Sequence, residues 1–304
     1  MRRGEFEAAW RISNRRRSIS PSGARRPRPA RRRAALKSKR VLIRCQHGLG
    51  DTIQFIRYAP RVKSLAAQVI VSAQPELIPL LQTMPAIDQL TFPNERNDPP
   101  PYDVEIEIME LPYALHRRPR AIPAQFPYFH VPKSALPAAN HLAVGIVWAA
   151  GDWDRRRSIP LPQLAPLASV SGIKLFAFQP GAALGHTEHL PIHHLNWNDT
   201  LHEAALLRAL DLLICVDSIP AHLAGALGVP VWLLLSADAD WPWGKQRNHS
   251  PWYPTMRLFR QSQEMVWQPV MERVGAELRA LARSHREANP QNDDKESSRV
   301  DVRG

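Results

Sequence analysis

Cysteine is nearly absent from this chain: Cys45 and Cys215 are the only two in 304 residues. That excludes a disulfide framework. Each thiol lies inside an apolar run, Val41–Cys45 and Leu212–Val216, where cysteine behaves as a small buried hydrophobe, so the chain reads as a protein of a reducing, cytoplasmic compartment. An unbroken apolar stretch of membrane-spanning length is also missing. The longest candidate, Leu212–Leu235, is interrupted by Asp217, Pro220, His222 and Pro230, each costly in hydrocarbon, and reads instead as strand, turn, helix and strand.

Acidic residues are scarce at one end only. Residues 1–40 hold 15 of the 40 Lys and Arg but just Glu5 and Glu7 of the 28 acids, a local balance of +13 that leaves the other 264 residues at −1. The net charge of +12 therefore describes a tail and excludes a specific nucleic-acid surface on the folded part. Residues 1–38, with three arginine clusters set among Ser, Pro and Gly, bury too little apolar surface to offset backbone ordering and read as disordered. They lack the continuous apolar stretch of an export signal. Their composition overlaps with organelle transit peptides and with segments that make weak contact with anionic surfaces, while a solvated extension without a role fits equally well. Residues 286–304 read as a second loose, polar tail.

Between the tails, apolar strands alternate with short amphipathic stretches, the pattern of doubly wound parallel sheets. The first set comprises strands at Arg40–Cys45, Gln68–Ser72, Gln89–Phe92 and Tyr102–Ile108, with helical stretches at Thr52–Leu65 and Pro75–Gln82. Residues 119–140 carry five prolines and are read as the interdomain linker. The second set has strands at His141–Trp148, Lys174–Gln179, Leu212–Val216 and Val231–Leu235. Its helices are expected at Leu161–Val170, Leu201–Leu210, Pro220–Leu227 and Trp267–Arg283. The expectation is an α/β protein with two Rossmann-like domains, 39–138 and 139–285, facing one another across a cleft at the carboxyl ends of their strands.

The segment Val216–Pro230 carries the strongest local signal. A strand ends in Asp217 and Ser218, Pro220 suits a first helical turn, and small residues follow as far as Gly228. Free N–H groups and the dipole at such a helix start suit a diphosphate, with His222 close enough to donate; a capped packing helix with a satisfied histidine uses the same residues. In the turn Gln46–Thr52, Gly48 and Gly50 permit close backbone approach, and Asp51 is either a helix cap or a base aimed into the cleft. The residue three after Gly50 is Ile53 rather than a third glycine, which weakens an NAD reading. Arg155–Arg157 is either cationic support for a leaving group or a solvated basic loop. The histidines at 186, 189, 193 and 194 lack metal-ligand spacing, and the acid pairs Asp152/Asp154 and Asp238/Asp240 are read as loop acids, so no metal site is expected.

Five segments, in order, resemble glycosyltransferase family 9, the ADP-heptose:lipopolysaccharide heptosyltransferases. Nearer still is the heptosyltransferase-like domain at the end of many bacterial tetratricopeptide-repeat proteins. The segments are Gly48–Arg57, Gly145–Trp148, Arg157–Leu161, Asp217–Gly228 and Ser250–Arg260. The resemblance implies a GT-B fold and an inverting, metal-independent transfer from a nucleoside-diphosphate sugar, ADP-linked and heptose-like, to a saccharide, lipid-linked or protein acceptor. It implies no separate cofactor and a place in bacterial lipopolysaccharide biosynthesis, in the cytoplasm or at the inner face of the membrane. It makes Asp51 the base on the acceptor hydroxyl, with Gly48, Gly50 and Gln54 on the acceptor side. Arg157, in the place of a phosphate-contacting lysine, would join Asp217, Ser218, Ile219 and His222 at the donor. Pro220 removes one N–H from that loop. The rival reading is a catalytically silent nucleotide-binding or scaffold module whose basic tail docks on anionic partners.

Overall fold

The computed structural model describes residues 33–92, 99–115, 122–123, 125–137, 141–151, 154–179, 187–239 and 241–289. Residues 1–32, most of the Arg-rich tail, and 290–304 lie outside them, as do His186, Asp152, Asp240 and the expected domain boundary at 138/139.

The first sheet has four strands, β1 (Arg40–Arg44), β2 (Gln68–Ser72), β3 (Gln89–Thr91) and β4 (Val104–Glu107), in the order β3-β2-β1-β4, every pairing parallel. The second has six: β5 (Leu142–Val147), β6 (Ile173–Ala177), β7 (Ile192–His194), β8 (Leu212–Val216), β9 (Val231–Leu235) and β10 (Met256–Arg260). Their order is β10-β9-β8-β5-β6-β7, again all parallel. Counted within its own half, this is the 3-2-1-4-5-6 order of a dinucleotide-binding sheet, and the first sheet is the same pattern stopped after four strands. The central strands β5, β8 and β9 are buried at every residue, because crossover segments cover both faces of a parallel sheet.

Several helices are shorter than the periodicity suggests. They are α1 (Leu49–Phe55), α2 (Ala59–Lys63), α3 (Ile78–Leu81), α4 (Leu111–Leu115), α5 (Ala165–Ala168), α6 (Thr200–Leu207), α7 (Ile219–Leu227) and α8 (Gln268–Ala288). Prolines at their starts explain several of the 3-10 turns that precede them: Pro75 opens Pro75–Leu77 before α3, and Pro162 stands in Leu161–Leu164 before α5. Several boundaries move, three of them at the tails or the cleft. Arg33–Leu36 forms a 3-10 turn whose Leu36 is fully buried, so ordered structure precedes residue 39. The last helix runs to Ala288, five residues past its expected end. Helix α1 begins at Leu49 and takes in Gly50 and Asp51, which were expected to form the turn before it.

The two halves touch directly. α1 packs on α7 and α3 on α6, and Thr200 Oγ1 donates to the Glu76 carbonyl at 2.5 Å. The proline-rich connection lies along the second half: Tyr128 N donates to the Ala226 carbonyl at 3.2 Å, Ser134 N to that of Ala205 at 2.9 Å, and Tyr128, Phe129 and Val131 are buried. Among the described residues no helix is long and apolar enough to cross a membrane.

Candidate active site

A cleft of about 650 Å³ opens where the carboxyl ends of both sheets meet. In an open parallel sheet the crevice forms where strand order reverses, here between β5 and β8 in one half and β1 and β4 in the other. Gly48, Leu49, Gly50, Asp51 and Gln54, at and after the turn following β1, line one wall. Ala149–Gly151 after β5, Asp217–Pro220 and His222 after β8, Arg157, and Trp241–Trp243 after β9 line the other. Each expected site residue is therefore a cleft residue.

On the first wall Asp51 stands in the first turn of α1, and its Oδ2 accepts from Gly48 N at 3.2 Å. The carboxylate thus caps the helix and borders the cleft at once, so the two roles weighed for it are compatible. Gln54 follows one turn later and is only 1 % exposed; among the described residues its Nε2 finds no acceptor.

The second wall is organised around Asp217. Its Oδ2 accepts from Trp243 Nε1 at 2.9 Å and lies 3.1 Å from Arg157 Nη1, while its Oδ1 is 3.9 Å from His222 Nε2. At 6 % exposure the carboxylate holds these groups in place. An anion there would repel a phosphate, and the contacts Asp217 makes are with Trp243, Arg157 and His222. Arg155 and Arg156 fit the solvated-loop reading and Arg157 does not. It is 9 % exposed, with Asp154 Oδ2 3.8 Å from its Nε on the far side. Hydrogen bonds from Arg156 hold the Asp154 carboxyl below its ordinary range, so Asp154 stays ionised beside the two guanidinium groups.

Ser218 occupies the N-cap position of α7 without capping it, because its hydroxyl turns back and donates to the Val216 carbonyl at 2.9 Å. Pro220 falls within the first two helical positions, and the neighbouring Ile219 is 37 % exposed. His222 is set between aromatic rings: Trp243 at 5.2 Å, Tyr253 at 5.9 Å, and the Tyr253 hydroxyl 3.0 Å from Nδ1. Gly50 lets the other half come against this ring, since a Cβ there would stand 2.8 Å from His222 Cδ2.

Sequence reasoning missed several residues that shape the site. Gln179, after β6, accepts from Trp148 N at 3.2 Å and Ala149 N at 2.8 Å and so sets the loop that follows β5. Trp243 and Tyr253 are likewise supports, and the Trp-Pro-Trp run after β9 was a signal that could have found the first of them. Of the other histidines, His194 Nε2 lies 2.7 Å from Thr187 Oγ1, and His193 packs on Phe176 at 5.5 Å. Among the described residues no group of three or more His, Cys, Asp or Glu side chains is placed to hold a metal ion.

No family model matches the chain. Protein FlbA of Caulobacter vibrioides is 41% identical over 81 residues, 27% of this chain but 13% of that protein, so the chain matches only a small part of the curated relative's length. Solved structures match over far more of the chain. The glycosyl transferase family 9 protein of Veillonella parvula has a TM-score of 0.54 at 14% identity, covering 75% of this chain and 87% of that one. The E. coli ADP-heptose lps heptosyltransferase II gives 0.55 at 14% identity over 81% and 99%. The E. coli heptosyltransferase WaaC with ADP gives 0.52 at 14% identity over 79% and 98%. What these likenesses establish is the fold: two parallel-stranded α/β domains arranged as in the family 9 glycosyltransferases.

Proposed function

We propose that the chain transfers a sugar from a nucleoside diphosphate to an acceptor hydroxyl, with inversion and without a metal. The observation that carries this reading is the opposition, across one cleft, of the Asp51 carboxylate on one wall and the Arg157, His222 and α7 start on the other. An inverting displacement needs a carboxylate on the acceptor side and positive charge or N–H donors on the departing diphosphate. Asp51 takes the acceptor proton as the acceptor oxygen bonds the anomeric carbon. The anomeric C–O bond breaks on the opposite face, its electrons passing to the diphosphate. Arg157 and the amides at the start of α7 meet that charge, with Asp217 and Trp243 fixing the guanidinium. Ser218 and Ile219 flank the diphosphate, and Gly48, Gly50 and Gln54 border the acceptor.

The fold shared with heptosyltransferases favours an ADP-linked, heptose-like donor, and a saccharide, lipid-linked or protein acceptor. The same reading places the reaction in the cytoplasm, with any hold on an anionic membrane face coming from residues 1–40.

A ligand that binds only the folded state raises stability by RT ln(1 + [L]/Kd), so thermal shifts with ADP, UDP, GDP and CMP test the donor site. Stabilisation by one nucleoside diphosphate, lost in His222→Ala, is expected. With the matching nucleotide sugar, Asp51→Asn should abolish transfer, and activity should survive dialysis against EDTA. Absence of any nucleotide shift, or full transfer by Asp51→Asn, would overturn the proposal.

A further inference from the structure

Arg57 is a cation buried at the contact between the two halves. It lies in the 3-10 turn Ile56–Tyr58 that continues α1, is 3 % exposed, and donates Nη1 to the Trp252 carbonyl of the other half at 2.6 Å. Among the described residues no carboxylate pairs with it, and its polar side-chain partner is Tyr128. Aromatic faces surround the guanidinium instead, with Tyr128 at 4.6 Å, Tyr253 at 5.1 Å and Trp252 at 5.9 Å from its carbon. A planar, weakly hydrated guanidinium suits such a cage, and an ammonium suits it poorly.

What Arg57 grips is the segment that supports His222. Ser250 Oγ accepts from Trp252 N at 3.1 Å and Tyr253 N at 3.2 Å, which fixes the turn. The Tyr253 ring lies against α7 at Gly225, where a Cβ would stand 2.6 Å from the ring. Burial pushes the Tyr253 phenol well above its ordinary range, so it keeps its proton and has one to donate. His222 Nδ1 lies 3.0 Å from that hydroxyl, which also meets the Tyr128 side chain, while Nε2 faces the Asp217 carboxylate at 3.9 Å and is the nitrogen placed to donate, leaving Nδ1 to accept. An imidazole that accepts at Nδ1 carries its proton on Nε2, the nitrogen nearer Gly50 and Asp217.

We propose that Arg57 is a positioning residue that couples the closed contact between the halves to His222, holding Tyr253 so that the His222 ring proton stays on Nε2. This rests on the transferase reading only for its consequence, that His222 is then preset to donate to the donor's phosphate. The coupling itself belongs to the protein without ligand. Opening the contact would withdraw the guanidinium from Tyr253 and release the histidine, so donor-side geometry is complete only when the acceptor-side half is in place.

The test is a long-range ¹H–¹⁵N spectrum of the full chain labelled at histidine, recorded without ligand, which reports which ring nitrogen carries the proton. Arg57→Lys keeps the charge and loses the planar fork, Tyr253→Phe loses only the hydroxyl, and Ser250→Ala loosens the same turn from its other side. Wild type should show His222 protonated at Nε2. All three variants should shift it toward a mixture of tautomers while the distant His285 is unchanged, and ADP should bind about tenfold more weakly. A wild-type His222 protonated at Nδ1 would overturn the proposal. So would an unchanged His222 in Arg57→Lys or, should that variant not fold, in Ser250→Ala. If wild type binds no nucleoside diphosphate, the transferase reading fails, and the tautomer result still decides the coupling.

Discussion

The indole N–H of Trp243 and the carboxylate of Asp217, 26 residues apart, form a buried hydrogen bond of 2.9 Å, and the same Asp217 oxygen lies 3.1 Å from the Arg157 guanidinium. Through that oxygen Trp243 is tied to the direction in which the Arg157 cation points. The bond links the loop after β9 to the end of β8 and joins two elements that local sequence never relates.

Trp243→Phe keeps most of the ring and removes the N–H. A hydrogen bond to a charged group contributes roughly 1.5–3 kcal/mol, and Asp217 would lean further on Arg157 to replace it. Binding of ADP is expected to weaken by about tenfold or more, with a modest fall in melting temperature. Calorimetric titration beside a denaturation curve separates the two effects; unchanged ADP affinity would show that Asp217 does not set the guanidinium.

Gly50→Ala sets two magnitudes against each other. Alanine favours a helix by about 1 kcal/mol over glycine, but the added methyl would stand 2.8 Å from His222 Cδ2, and overpacking costs roughly 1–3 kcal/mol. The ring cannot swing aside easily, because Trp243 and Tyr253 flank it. The clash wins, so both stability and nucleotide binding should fall. Gly48→Ala is the contrast: its Cβ would meet Asp51 Oδ2 at an ordinary 3.5 Å, and denaturant midpoints should place it near wild type.

How much of this was legible depends on range. β8 and β9 lie where they were expected, since each is a continuous apolar run, one ended by Asp217 and the other begun after Pro230. β10 was passed over: Met-Arg-Leu-Phe-Arg sets basic residues into a short run at the sheet's edge, where Arg257 and Arg260 leave no plain apolar signature. β7, three residues after Pro191, is too short for any period to register. Asp51, Arg157 and His222 could be found because each belongs to a local turn or loop with a physical reason to carry it. Arg57, Gln179, Trp243 and Tyr253 could not be assigned roles, since what defines them is a partner tens to hundreds of residues away.

Both thiols should be inert in the folded protein. Burial pushes Cys45 up to about 12 and Cys215 well above its ordinary value, and the thiolate is the reactive form. A disulfide-exchange reagent at pH 8 should release no chromophore from the native chain and two equivalents after denaturation. A fast equivalent in the native state would mean that one strand end opens readily.

Glu203 gives the fold a pH dependence whose sign follows from burial. It lies in α6, the helix that meets α3 of the other half, at 8 % exposure, and burial pushes its carboxyl from 4.5 up to about 7. Below pH 4.5 the group is neutral folded or unfolded and no charge is buried. As pH rises from there through 7, the unfolded chain ionises freely while the folded one resists, so stability falls by an amount bounded at about 3 kcal/mol. Glu203→Gln removes the ionisation. Denaturant unfolding should therefore show the variant more stable than wild type at pH 8, with the advantage shrinking steadily toward pH 4.5. Parallel profiles for the two proteins would mean that the carboxylate reaches water in the native state. A converging pair would show that buried Glu203 carries its proton at the lower end of the range.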